Sequence, residues 1–405
     1  MNKIIVQKYG GSSVADPEKI KKIAAMVASV KNEGFGIAVV VSAMGKTTNS
    51  LIELAHSVSS DPPKREMDML LSAGERITMS LLCMALNDFG VDAISLTGSQ
   101  SGIITNDRHT DARVIEVRPI RVQDEMAKGK VVVIGGFQGV SYKRDITTLG
   151  RGGSDTSAVA LAAALNAERC EIYSDIDGIY TADPALVKEA KHLTEISYQQ
   201  MQEMSTSGAK VLNAQAVQFA KEAGIIIYAR STFSPGKETV IKTISSGETK
   251  GINGIVHENE VVRIILSYNK EDKEFYDLLK LLEEKQISVK ELNVTETEKE
   301  SAKSKASFVV SYKNIYGWES FKSNLVNKFK NKIEFDYDLS ALSIIGEGLN
   351  RDNGILLESL RIFDSEKINV AGISTTSYRL SFLVPKNELE NGVRLMHKKW
   401  IEEQV

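Results

Sequence analysis

From residue 3 to about residue 245, short uninterrupted apolar runs alternate with segments of helical period. Residues 4–6, 37–41, 131–134 and 225–228 read as apolar strands, and 170–173, with Glu171 its one charged residue, as a further strand. A strand apolar on both sides has to be covered on both sides, and a mostly parallel sheet between two helical layers does that. Asp16-Pro17-Glu18 marks the start of a helix running to about Asn32, with Asp at the cap and Pro at the first helical position. The expected fold class is α/β, a three-layer sandwich around a mostly parallel sheet.

The pattern changes near residue 246. The chain has 405 residues, more than one ordinary domain of roughly 100–200 residues. Ser245-Ser246-Gly247-Glu248-Thr249-Lys250-Gly251 is polar and glycine-bearing and reads as a linker. Beyond it, residues 261–266 read as a strand, 272–285 as a helix, and 287–289 and 306–311 as strands. Residues 342–345, 354–366, 368–370 and 379–384 repeat that order. The expectation is two small βαββ-type α+β modules of roughly 65–80 residues. The domain reading is 1–245, a linker at 246–258, and modules at 259–339 and 340–405.

Composition excludes several classes of function. Net charge is −3, so no general attraction to nucleic acid or anionic membrane is expected. No run of 18 apolar residues occurs, and the first residues lack the apolar core of a signal peptide. The two cysteines, Cys83 and Cys170, form no CxxC pair, and the five histidines show no metal-ligand spacing. Reduced thiols, a cytoplasmic location and no protein-held metal site are expected.

Chemistry-bearing residues fall at the carboxyl ends of the expected strands, the edge where open parallel sheets bind ligands. Lys8-Tyr9-Gly10-Gly11-Ser12-Ser13 follows the first strand. Its glycines let backbone N–H groups approach a phosphate, and Lys8 adds a point charge. Such a segment alone is more often a structural turn. Ser42-Ala43-Met44-Gly45-Lys46-Thr47-Thr48-Asn49 follows the second strand. It is not a P-loop, because Val40 stands where that motif needs glycine. Ser72-Ala73-Gly74-Glu75-Arg76 would in isolation be a solvated helix start. Leu149-Gly150-Arg151-Gly152-Gly153-Ser154-Asp155 opens an alanine-rich helix. A helix start favours anions, and an arginine between glycines can clamp a carboxylate in bidentate fashion. Ser174-Asp175-Ile176-Asp177-Gly178-Ile179-Tyr180-Thr181-Ala182-Asp183-Pro184 leaves a strand carrying acids and one aromatic. Gly208-Ala209-Lys210-Val211-Leu212 follows downstream, where Lys210 alone would be a surface lysine.

In this order the segments resemble the amino-acid kinase superfamily and, within it, the aspartate kinases. Residues 8–13 are similar to that family's K-[FY]-G-G-[ST]-S, 149–155 to L-G-R-G-G-S-D, 174–184 to [ST]-D-x-x-G-[IV]-Y-x-x-D-P, and 208–212 to G-A-K-V-L. The C-terminal modules resemble paired ACT domains. The resemblance implies an ATP-dependent kinase acting on L-aspartate. Arg151 would grip the substrate α-carboxylate and Glu75 its α-ammonium, with Thr47, Phe137 and Ser154 lining the pocket; Thr48 competes with Thr47. Lys8, Lys210, Gly10 and Gly11 would hold the ATP phosphates, and Ser174, Asp175 and Tyr180 would sit by the nucleotide. Asp155 would orient the lysines, and Mg2+ would bind mainly through the phosphates.

Three positions depart from the family pattern. Ala185 replaces the usual arginine after Asp183-Pro184, Asn213-Ala214 replaces His-Pro, and residues 267–272 lack the usual Pro-Gly of the first ACT effector loop. Glutamate, acetylglutamate, carbamate and UMP kinases are the neighbouring alternatives, and an inactive amino-acid sensor is the alternative from another class. An Arg151–Glu75 clamp reads a zwitterion and argues against carbamate and UMP. The resemblance further implies one activity in this chain, a homodimer joined through the ACT-like modules, and an amino-acid effector, lysine first and threonine second. Its expected position is near residues 350–354.

Overall fold

The computed structural model describes all residues except 1, 2, 151, 210, 235, 245–250, 286, 299–302, 316, 404 and 405. The chain divides into two compact units. The first comprises Met1–Tyr180, His192–Thr206 and Lys210–Glu248, the second Thr181–Lys191, Ser207–Ala209 and Thr249–Val405.

The first unit is built on an eight-stranded sheet. Its strands in chain order are β1 (Ile4–Tyr9), β2 (Gly36–Val41), β3 (Ala93–Leu96), β4 (Val131–Gly135), β5 (Arg169–Ser174), β6 (Glu195–Ser197), β7 (Ile227–Ser231) and β8 (Glu238–Lys242). Their order across the sheet is β6-β8-β7-β5-β1-β2-β4-β3. All neighbours are parallel except β7 and β8. The apolar runs read from sequence are the central strands: Ile37, Val39, Val41, Val131 and Val133 are fully buried. Helix α1 (Pro17–Asn32) starts as expected, Asp16 accepting the Lys19 backbone N–H at 2.9 Å. Helices α2 (Thr47–Val58), α3 (Lys64–Leu71) and α4 (Ala73–Asp88) follow β2. The Lys64–Asp88 run is long and apolar enough to cross a bilayer by length and composition. Here Leu82 and Leu86 instead pack with Ile23 of α1 and the β2 valines. Helix α5 (Gly153–Ala164) enters the core almost whole. A four-stranded side sheet joins Ile103–Thr105, Val114–Val117, Gln138–Ser141 and Ile146–Thr148.

The second unit holds two ACT-like sheets. Strands β9 (Gly251–Glu258), β10 (Val262–Asn269), β11 (Lys290–Glu298), β12 (Lys303–Val310), β13 (Ile333–Asp336), β14 (Leu339–Glu347), β15 (Gly372–Thr375) and β16 (Arg379–Pro385) form them. The first sheet runs β11-β12-β10-β13 and the second β9-β14-β16-β15. The expected βαββ order is present in each, with helices α6 (Glu274–Glu284) and α8 (Gly354–Ser365) in the expected places. Helices α7 (Trp318–Phe329) and α9 (Leu389–His397) add a second helix to each.

Two features differ from a simple tandem repeat. Residues 251–258, read as linker, are strand β9, which pairs antiparallel with β14 and so completes the second sheet from before the first. Its buried Ile255 and Val256 supply the core contact that its glycines and asparagine conceal in the sequence. The Asp183-Pro184 segment also belongs to this unit. Ala182 and Val187 pack in one core with Leu342, Phe363 and Phe382. Thr181 is tied there by a 2.7 Å bond from Ile255 N–H to its carbonyl and by a 2.9 Å contact to the buried His397 imidazole.

Candidate active site

The carboxyl ends of β1, β2, β4 and β5 converge on one edge of the first unit. Lys8, next to last on β1, places Nζ 2.6 Å from Asp155 Oδ1 at the start of α5, with both side chains about nine-tenths buried. Burying a charge is costly unless it is paired, and Asp155 pairs with Lys8 here. Gly11 lies against the next strand's loop, where an added Cβ would come within 2.9 Å of the Ala43 carbonyl. Only glycine lets the two backbones approach so closely there.

The loop after β2 builds the second half. Ser42 donates its hydroxyl to Ser154 Oγ at 2.9 Å, joining the β2 loop to α5. Ala43 N–H donates to Glu75 Oε1 at 3.0 Å. Glu75, on the first turn of α4, is 3% exposed. Its Oε2 is buried and has no hydrogen-bond partner among the described residues. Burial raises the Glu75 carboxyl from 4.5 to about 7, against smaller opposing effects of backbone hydrogen bonds. Thr47 caps its own loop through a 2.6 Å bond to the Met44 carbonyl, and its methyl lies 3.6 Å from where a Gly74 Cβ would sit. Phe137 has φ +64°, and its N–H is held by Ser157 Oγ at 3.1 Å. Its ring edge is 3.0 Å from the position of a Gly153 Cβ. A phenylalanine in the left-handed region is unusual and is held there by its surroundings.

The residues expected beside the nucleotide follow β5. Gly10 N–H donates to the Tyr173 carbonyl at 3.1 Å, linking the two loops. Ser174 turns its own loop, accepting Ile176 N–H at 3.1 Å, and Asp175 is exposed. Tyr180 donates its hydroxyl to the Asp177 carboxylate at 2.9 Å and meets His192 edge-on with ring centroids 5.3 Å apart. Burial and the Asp177 bond raise its phenol above the ordinary value.

The structure therefore brings Lys8, Gly10, Gly11, Thr47, Glu75, Phe137, Ser154 and Asp155 into one cluster, with Ser174, Asp175 and Tyr180 on the adjoining loop. Arg151 and Lys210 lie outside the described residues. Two neighbours were not singled out from sequence. Ser42 is one; its partner Ser154 is distant in the chain, so no spacing reveals the pair. Lys237 is the other, its Nζ 5.8 Å from the Tyr180 ring centroid. Its signal was the Gly236-Lys237 turn after β7, at the same sheet edge.

A parallel sheet whose carboxyl edge carries a shielded lysine–aspartate pair, close-approach glycines and a helix start defines a phosphoryl-transferring enzyme of the amino acid kinase type. The profile of the amino acid kinase family matches residues 3–230. The chain is 38% identical to the aspartokinase of Mycolicibacterium smegmatis, over 98% of this chain and 95% of that one. It is 39% identical to aspartokinase 2 of Bacillus subtilis, over 97% of each. The solved structure of E. coli aspartokinase III in complex with aspartate and ADP superposes with a TM-score of 0.80 at 25% identity, over 98% of this chain and 99% of that one. The chain belongs to the aspartokinase branch of the amino acid kinase family, and it is a phosphotransferase.

Proposed function

We propose that the protein transfers the γ-phosphoryl group of ATP to the side-chain carboxylate of L-aspartate, giving 4-phospho-L-aspartate, the first step toward lysine, threonine and methionine. The observation that carries this reading is the buried Glu75 Oε2, which has no hydrogen-bond partner among the described residues, in the same cluster as the Lys8–Asp155 pair. It is an acceptor waiting for a cation, and the α-ammonium of an amino acid supplies one. Arg151 is assigned the α-carboxylate, and Thr47, Phe137 and Ser154 line the pocket.

The acceptor carboxylate is already an anion, so the reaction needs no strong base. The obstacle is repulsion: two unit charges about 4 Å apart oppose each other by about 4 kcal/mol at an effective dielectric near 20. Positioning and charge neutralisation are therefore the main work, as in phosphoryl transfer generally. Lys8 and Lys210 neutralise the transferring phosphate, the Gly10-Gly11 turn lets main-chain groups approach it, and Asp155 holds Lys8 in place. Ser174, Asp175 and Tyr180 flank the nucleotide, where Lys237 offers a cation in a chain that has Ala185 after Asp183-Pro184. The crowding at Gly11 fits a phosphate cradle. Among the described residues no three His, Cys, Asp or Glu side chains come together as a metal site. Mg2+ is read as held mainly through the triphosphate oxygens, where it would supply further charge neutralisation.

The first domain, 1–245, is proposed as catalytic, and the modules at 259–339 and 340–405 as a regulatory homodimer interface that binds an end-product amino acid. Lysine is the first choice and threonine the second. An effector carboxylate near residues 350–354 would compete with Asp352, whose Oδ1 already accepts Gly354 N–H at 2.7 Å. The test is ATP turnover with a panel of acceptors, and sedimentation and inhibition by lysine or threonine for the full-length chain. Turnover with UMP or carbamate and none with aspartate rejects the assignment. A monomer indifferent to both amino acids rejects the regulatory part.

A further inference from the structure

One fully buried carboxylate of the first unit has no part in the phosphate site or the ammonium pocket. Asp68, on α3, has no exposed surface. Its Oδ1 accepts the Thr148 hydroxyl at 2.5 Å and the Thr110 backbone N–H at 3.0 Å, and its Oδ2 lies 2.6 Å from His109 Nδ1. Burial raises its pKa, and these three partners work against that rise. A carboxylate in such a place persists only when its oxygens are bonded, so the three donors form a built arrangement.

Those donors come from two loops that meet at one point. Thr148 ends the strand Ile146–Thr148, and its carbonyl accepts Ala112 N–H at 2.8 Å. The next residue, Leu149, donates its N–H to the Phe137 carbonyl at 2.9 Å. Thr110 has φ +70°, a conformation that a β-branched residue adopts only under constraint. Asp111 lies so close to Gly150 that an added Cβ there would come within 2.7 Å of its Oδ1. The carboxylate on α3 thus fixes the loop of His109, Thr110 and Asp111 and, through Thr148, the stretch that leads directly into Arg151.

We propose that Asp68 is a positioning residue for the acceptor substrate, acting through Thr148 on Leu149 and Gly150, the residues that precede Arg151 in the sequence. This rests on the reading of Arg151 as the carboxylate clamp. Asp68 bonds none of Lys8, Gly10 or Gly11, so its effect falls on the acceptor and not on ATP.

The test is steady-state kinetics of full-length Asp68→Ala, Asp68→Asn, Thr148→Val and Arg151→Ala beside the wild type. Thr148→Val removes the donated proton and keeps the side-chain shape, so it decides the matter even where Asp68→Ala fails to fold. Small displacements of a binding group cost up to about 100-fold, so Asp68→Ala and Thr148→Val should raise the aspartate KM about tenfold or more. The ATP KM should stay within about twofold, because the phosphate contacts are untouched. Asp68→Asn keeps an oxygen for Thr148 and Thr110 and should recover most of the loss. A raised aspartate KM in Arg151→Ala with a normal one in Thr148→Val refutes the positioning role and leaves the clamp standing. An unchanged aspartate KM in Arg151→Ala refutes the clamp, and the proposal with it. Equal rises in both KM values would reduce Asp68 to a structural residue.

Discussion

Glu75→Gln separates the stability of the pocket from its chemistry. The carboxyl titrates at about 7 in the folded chain against an ordinary 4.5, chiefly because it is buried. Each pH unit between those values is worth about 1.4 kcal/mol, so ionising Glu75 in place costs the fold about 3 kcal/mol. The folded state holds this proton more tightly than the unfolded state does. The contribution is therefore fully present below pH 4.5, is lost as pH rises through about 7, and is constant above. About 2.5 kcal/mol of the loss falls between pH 5 and pH 8. Glutamine cannot ionise, and its carbonyl can keep the Ala43 N–H bond. Urea unfolding of both proteins at pH 5 and pH 8 should show the wild type losing about that much more than the variant. With Glu75 as the proposed partner of the substrate ammonium, the same ionisation should set aspartate binding. Wild-type KM for aspartate should fall as pH rises through about 7, while Glu75→Gln should show a higher KM that is flat across this range. Parallel stability curves for the two proteins, or an unaltered aspartate KM in the variant, would refute the reasoning.

Three further outcomes follow from the geometry. Lys8→Ala removes the charge held 2.6 Å from Asp155 and should lower kcat roughly 100-fold or more, about 3 kcal/mol of barrier; near-normal turnover would make Lys8 structural. Cys83 and Cys170 are both buried, and burial pushes the Cys83 thiol up to about 12 and Cys170 higher still; labelling with a thiol reagent should be slow in native protein and complete only on unfolding. A chain cut near residue 250 would expose Ala182 and Val187, which pack with Leu342, Phe363 and Phe382; its melting temperature and its activity should both fall, and a fully active fragment would show that this packing is dispensable.

The central sheet was readable in the sequence because β2 and β4 are buried on both faces and so carry uninterrupted apolar residues, as does the first half of β1. The start of α1 was readable because Asp16 bonds its own helix, a local event with a local signature. Strand β9 was not, because its glycines and asparagine look like linker and only pairing with β14 gives them a ladder. The attachment of Thr181–Lys191 to the second unit depends on residues near positions 255, 342 and 397, which no local pattern announces. Within the site, residue types at strand ends pointed to Lys8, Glu75 and Asp155. The Ala43 N–H that holds Glu75 is a backbone group, and Asp68 stood within a helix whose apolar neighbours masked it.

The most direct measurement is to run the full-length enzyme with ATP, Mg2+ and hydroxylamine, supplying L-aspartate, L-glutamate, N-acetylglutamate, carbamate or UMP in turn. An acyl phosphate is captured as a hydroxamate, which mass spectrometry identifies. ADP release and aspartyl β-hydroxamate are expected with L-aspartate, and neither product at comparable rate with the others. A hydroxamate from glutamate or N-acetylglutamate with none from aspartate, or ADP release that yields no hydroxamate at all, would contradict the assignment.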